Sequence, residues 1–92
     1  MQMLTIVCDV SLEERVLAGL REINVPGYTR LTDLTGAGRT GRRDGDPIWP
    51  GTNSLLLVVV PDEEVQPVVD MLHHLKSEYS RPPALRVFTV PA

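Results

Sequence analysis

Residues 55 to 60 read LLLVVV. Successive side chains of a strand point to opposite faces, so an unbroken apolar run is apolar on both. The run is far too short to cross a bilayer, and its three valines favour an extended backbone. Such a strand belongs in the middle of a sheet with both faces covered. The amino-terminal segment MQMLTIVCD has the same character. Leu4, Ile6 and Cys8 fall on one face, and Met3, Thr5 and Val7 on the other. A chain with two such strands must bring cover to two sheet faces.

Two helical patterns supply cover for one face. In SLEERVLAGLREIN, the residues Leu12, Val16, Leu17, Leu20 and Ile23 repeat at helical spacing. Ser11 and Glu14 have the spacing of a capping box, and Glu13, Glu14, Arg15, Arg21 and Glu22 lie mostly off the stripe. In PDEEVQPVVDMLHHLK, the stripe is Val65, Val68, Val69, Leu72 and Leu75, and the regular helix is expected to begin near Glu64 so that Pro67 falls in its first turn. YTRLTDLT mixes polar and apolar residues on both faces and reads as an edge strand. ALRVFTV reads as the last strand, with Leu85 and Val87 opposite Arg86, Phe88 and Val90.

The order is therefore β-α-β-β-α-β in one domain spanning residues 1–92. Right-handed crossovers place both helices on one face of a four-stranded antiparallel sheet, with the first and third strands central. This is the ferredoxin-like α+β sandwich. The opposite face keeps its apolar residues and has no cover within the chain. Apolar patches of that kind mark partner surfaces, and a closed homo-oligomer, most simply a homotrimer with the sheets at its centre, is expected.

Composition removes several functions. A net charge of −3 provides no general attraction for nucleic acid or anionic lipid. The single cysteine, Cys8, allows neither an internal disulfide nor a thiolate pair. The first ten residues carry no basic leader, so a reducing, cytoplasmic setting without membrane insertion is expected. No Ser-His-Asp or Cys-His set stands in a local context that implies catalysis, and no enzyme is expected.

Five of the seven glycines lie in one segment, GAGRTGRRDGDPIWPG, residues 36–51. Gly36, Gly38 and Gly41 form G-x-G-x-x-G. A dinucleotide turn with that pattern opens a helix, whereas here RRDGDPIWPGTN follows, with two prolines and no helical stripe. The segment instead joins two antiparallel strands and is far longer than a hairpin requires. Long connections in compact domains are functional or mobile. Glycines let backbone N–H groups converge on an anion, and Arg39, Arg42 and Arg43 add charge. The alternative is a solvated connection with Trp49 as its hydrophobic foot. Trp49, between Pro47 and Pro50, is an anchor against a neighbour or a stacking surface.

Three residues of the second helix are candidates for a metal site. His73 and His74 are adjacent and point about 100° apart. Asp70 and His74 are one turn apart, a spacing that could share a metal but more commonly makes a solvent-facing ion pair. Cys8 reads as a buried small hydrophobe.

VPGYTRLTDLTGAGRTGRR resembles the strand and loop entry of the PII signal-transduction proteins, whose pattern is close to V-x-G-M-T-x-x-x-V-x-G-x-G-R-x-x-G. Val25, Gly27, Thr29, Gly36, Gly38, Arg39 and Gly41 match when one extra residue is allowed within the strand. DEEVQPVVDMLHHL is similar to the second PII helix. The resemblance implies a non-enzymatic trimeric regulator that binds an adenine nucleotide (ATP, ADP or AMP) or another small anion between subunits. It would present residues 36–51 as a short T-loop to a transporter or enzyme target. It places Thr29 on the strand leading to that site, and Gly36, Gly38, Arg39, Thr40, Gly41, Arg42 and Arg43 around the effector, with Trp49 and Pro50 at the loop's end. Two parts of the PII pattern have no counterpart. SEYSRPPALRVF stands where the family has a glycine-rich phosphate loop, and the carboxy-terminal arginine pair is missing. The PP-x-L-x-V ending is more similar to CutA, the metal-tolerance branch of the PII/CutA superfamily. The alternative function is accordingly a divalent-metal protein using Asp70, His73, His74 or Cys8.

Overall fold

The computed structural model describes residues 1–38, 41–43, 53–81 and 83–92. The elements run β1 (Gln2–Asp9), a 3-10 turn and α1 (Glu13–Glu22), β2 (Thr29–Leu34), β3 (Gly36–Gly38), β4 (Gly41–Arg43), β5 (Asn53–Val60), a 3-10 turn and α2 (Val65–Ser77), and β6 (Leu85–Pro91). The main sheet has the order β2-β5-β1-β6 and is antiparallel throughout. The two apolar strands are central and the two mixed strands lie at the edges, so the fold is the ferredoxin-like α+β sandwich.

Alternation decides which residues reach the core. Leu4, Ile6 and Cys8 of β1 stand beside Leu56, Val58 and Val60 of β5, under the helices. Leu12, Val16, Leu17 and Leu20 from the first helical segment and Val68, Leu72 and Leu75 from α2 close over them. Ile23 and Val65, at the ends of the two stripes, are partly buried against this core. Gly19 lets the helices meet: a Cβ there would lie 2.5 Å from Met71 Sδ.

The helix ends differ from the capping expectation. The Asp9 carboxylate, not Ser11, accepts from a backbone amide, that of Ser11, at 3.2 Å. A 3-10 turn over Val10–Leu12 then delays the α-helix to Glu13. Asp9 is the last residue of β1 and is already aimed at the turn, so it occupies the cap before Ser11 can. At the other end Asn24 adopts φ 59°, and the Val25 amide donates to the Leu20 carbonyl at 3.0 Å. This is a Schellman closure with asparagine in the usual glycine position. In α2, Pro67 is the third residue, where its missing N–H has no intrahelical acceptor to lose.

The open face of the sheet remains apolar. Cross-strand rows place Met3 between Val59 and Val90, and Thr5 between Leu57 and Phe88. Leu31 stands beside Leu55. Phe88 is 58% exposed, and Leu31, Val59 and Val90 are each 45% exposed.

Candidate functional site

The glycine-rich segment grows from edge strand β2. Residues Thr29, Arg30 and Leu31 pair with Leu57, Leu56 and Leu55 in strict register, but Leu34 pairs with Asn53. Two residues of β2, Thr32 and Asp33, therefore oppose Ser54 alone. This is a one-residue β-bulge, and Asp33 takes φ 58° within it. The extra residue falls between Thr29 and Gly36, the interval in which the PII pattern needs one. It also moves Leu34 from the helix-covered face to the open face, because a one-residue shift reverses side-chain alternation.

Beyond Thr35 the chain forms a separate ribbon. Gly36 pairs with Arg43, Ala37 with Arg42 and Gly38 with Gly41, all antiparallel. This differs from the sequence expectation of one irregular connection over residues 36–51. Local pairing is available because glycines impose no side-chain clash at the tight end of the ribbon. Arg39, Thr40, Trp49 and Pro50 lie outside the described residues. Thr29 is exposed on β2, opposite Leu57.

A polar cluster sits beneath the base of this ribbon, absent from the sequence expectations. Glu13, expected on the solvent side of α1, is 8% exposed. Its Oε1 lies 3.2 Å from Nε of Arg30, whose side chain reaches over the helix-covered face from β2. The carboxylate oxygen is not aligned for a hydrogen bond with that guanidinium. Ser54 Oγ, on the same covered face, and Asn53 Oδ1, which alternates to the open face, are also buried without a hydrogen-bond partner among the described residues. Cys8 pairs with Ser54 across β1 and β5. Burial, with the nearby Glu13 and Asp9 charges, raises its thiol from 9.0 to about 11. Two sequence signals point to the cluster. Glu13 precedes Leu17 and Leu20 at the i+4 and i+7 spacing of a buried face, and Ser54 shares the parity of Leu56 and Val58.

The α2 candidates do not gather. Asp70 and His74 do not pair with each other as their spacing predicted. Asp70 accepts from Gln66 Nε2 at 2.8 Å, and His74 Nε2 lies 3.6 Å from Glu78, each one turn away on the outer side. His73 is exposed, and among the described residues no three His, Cys, Asp or Glu side chains come together. Glu78 is shared: Arg15 of α1 pairs with it and donates to the Tyr79 hydroxyl at 2.8 Å, with the guanidinium 5.4 Å from that ring. These contacts tie α1 to the end of α2.

A βαββαβ sandwich that extends a glycine- and arginine-bearing ribbon from its β2 edge defines a PII-like protein of the ferredoxin-like class. The family model for Nitrogen regulatory protein P-II matches residues 1–92, and the chain belongs to that family. No curated protein matches the sequence. Among solved structures, the chain is similar to CPII, a nitrogen regulatory PII-like protein from Thiomonas intermedia K12, bound to ADP, AMP and bicarbonate. The TM-score is 0.76 at 22% identity, covering 97% of this chain and 84% of that one. The apo form of CPII gives a TM-score of 0.68 at 19% identity, covering 97% and 87%. A candidate PII-like signaling protein from Thermus thermophilus gives 0.65 at 25% identity, covering 97% and 83%.

Proposed function

We propose that this protein is a homotrimeric, non-enzymatic PII-like regulator of the cytoplasm. In this reading a small anionic effector, an adenine nucleotide such as ADP or AMP or a simpler anion, binds at the base of the β3–β4 ribbon near a subunit boundary. The observation that carries the reading is the position of that ribbon. Gly36, Gly38, Gly41, Arg42 and Arg43 leave the sheet immediately after the β2 bulge, at the edge of an uncovered apolar face. Burying that face between copies would set the ribbon base of one copy against its neighbour. CPII, solved with ADP, AMP and bicarbonate, supports the ligand class.

An anion at the ribbon base would meet glycine amides and the arginines of residues 36–43. Binding there would change how the segment ending at Trp49 and Pro50 fits an enzyme or transporter target. Isothermal calorimetry with ATP, ADP and AMP, each with and without bicarbonate, tests the site. The expected outcome is saturable binding to at least one of them, weakened at least about ten-fold by Arg39→Ala, the loss of one charge-assisted contact. Silence from all of them, or binding unchanged in that variant, sinks the reading.

A further inference from the structure

On the helix-covered face, two buried side-chain oxygens have no hydrogen-bond partner among the described residues: Glu13 Oε1 and Ser54 Oγ. Ser54 is fully buried and Glu13 is 8% exposed. Alternation places both on one side of the sheet. Ser54 shares the parity of Leu56 and Val58, which lie under the helices, and Glu13 opens α1. Cys8 stands opposite Ser54 across β1 and β5. Burial first, and then the Glu13 charge, raise the Cys8 thiol, so the carboxylate is near the Cys8–Ser54 pair. Arg30 belongs to the same corner, because it pairs with Leu56, two residues along β5 from Ser54.

A buried oxygen without a partner forfeits its hydration and gains nothing in return, and a carboxylate forfeits the most. Arg30 does not cure this. Its Nε lies 3.2 Å from Oε1 without the alignment of a hydrogen bond. Charge limits what can complete the corner. Arg30 already supplies one positive charge to Glu13, so a bound cation would leave an excess charge in a buried site. An anion would meet the carboxylate itself. The occupant is therefore neutral, donates to Oε1, and is small, because both oxygens are shut off from solvent by the packed core. Water meets all three conditions. An internal water makes about three hydrogen bonds and needs at least two polar partners. Glu13 and Ser54 are those two, and the Cys8 thiol is a weak third.

We propose that an internal water bridges Glu13 Oε1 of α1 and Ser54 Oγ of β5, tying the first turn of α1 to the strand that faces the β2 bulge. Ser54 is the residue that Thr32 and Asp33 jointly oppose, so the bridge lies beneath the bulge that precedes the ribbon. It depends neither on an effector nor on assembly, since both oxygens lie on the face covered within the chain. One neutral water does not replace the charge of Arg30, which remains the counter-ion of Glu13.

A crystal structure that resolves internal water tests the bridge directly. The expected result is a density peak within hydrogen-bond distance of both oxygens. A direct Ser54–Glu13 hydrogen bond, a protein atom at that position or a dry contact overturns the proposal. An anomalous signal there after exchange into rubidium chloride marks a cation and overturns it too. Thermal melts give a second reading, in which the sign decides. Ser54→Ala is expected to lower Tm by about 4–8 °C, the shift for losing about one hydrogen bond in a domain of this size. A raised Tm means that the hydroxyl had no partner, and overturns the bridge. In the Glu13→Leu, Arg30→Met background, which lacks the carboxylate, Ser54→Ala is expected to cost less than about half as much. Equal losses in the two backgrounds overturn the bridge as well.

Discussion

Arg30 on β2 holds its Nε 3.2 Å from Oε1 of Glu13 on α1, and the partners differ in exposure, 45% for the arginine side chain and 10% for the glutamate. The contact joins the helix layer to the strand that feeds the ribbon. A carboxylate buried to that degree depends on its cation, because desolvation is costly when the charge is left alone.

Arg30→Met is therefore expected to destabilise the fold by about 2 kcal/mol, below the ~3–5 kcal/mol of a fully buried pair because Arg30 is half in water. Adding Glu13→Leu should recover most of the loss. Urea denaturation of the two variants checks both values. Unchanged stability in Arg30→Met would mean that water solvates Glu13.

The rows Val59–Met3–Val90 and Leu57–Thr5–Phe88 form the exposed apolar face. Burying a large apolar side chain contributes about 1.5–3 kcal/mol, so a charge in this surface opposes assembly strongly. Phe88→Asp is expected to shift sedimentation equilibrium from the proposed trimer to monomer while circular dichroism stays native-like. A wild-type protein that sediments as a monomer at micromolar concentration refutes the assembly outright.

The Cys8 thiol, raised from 9.0 to about 11, links stability to alkaline pH. Below pH 9 the thiol is protonated in both the folded and unfolded states and contributes no pH dependence. Between 9 and 11 the unfolded chain loses the proton while the folded chain keeps it, so stability falls as pH rises. Cys8→Ala should have a shallower decline than wild type over that window. The native thiol should also stay inert to a disulfide reagent at pH 8 until the chain unfolds.

Asp33 and Asn24 both adopt left-handed backbone, φ 58° and 59°. A β-branched residue in that region is strained by roughly 1–2 kcal/mol or more. Asp33→Val and Asn24→Val are expected to lower stability by about that amount, while the glycine variants stay within about 0.5 kcal/mol. Thermal melts of the four variants provide the comparison. In Asp33→Val, a lost bulge would also return Leu34 to the helix-covered face, visible as altered amide shifts at Asn53 and Ser54.

Much of the architecture was legible because it rests on periodicity. The parity of Leu4, Ile6 and Cys8, the run at residues 55–60 and the two helical stripes each state which face is buried. The PII pattern at Val25, Gly27, Thr29, Gly36 and Gly38 added the family. The candidate site was less legible. Nothing local in Thr32-Asp33 announces a bulge, since a bulge is defined by the partner strand. Glu13 reads as polar surface until Arg30, seventeen positions along the chain, arrives opposite it.

Sequence by itself determined the element order, the central and edge strands and the uncovered apolar face. Each follows from alternation and helical spacing, which are properties of neighbours along the chain. Tertiary structure alone decided the β2 register shift and the pairing of buried Glu13 with half-exposed Arg30. Those depend on which distant segments meet, and the packing of two helices onto one sheet face chooses the meeting points.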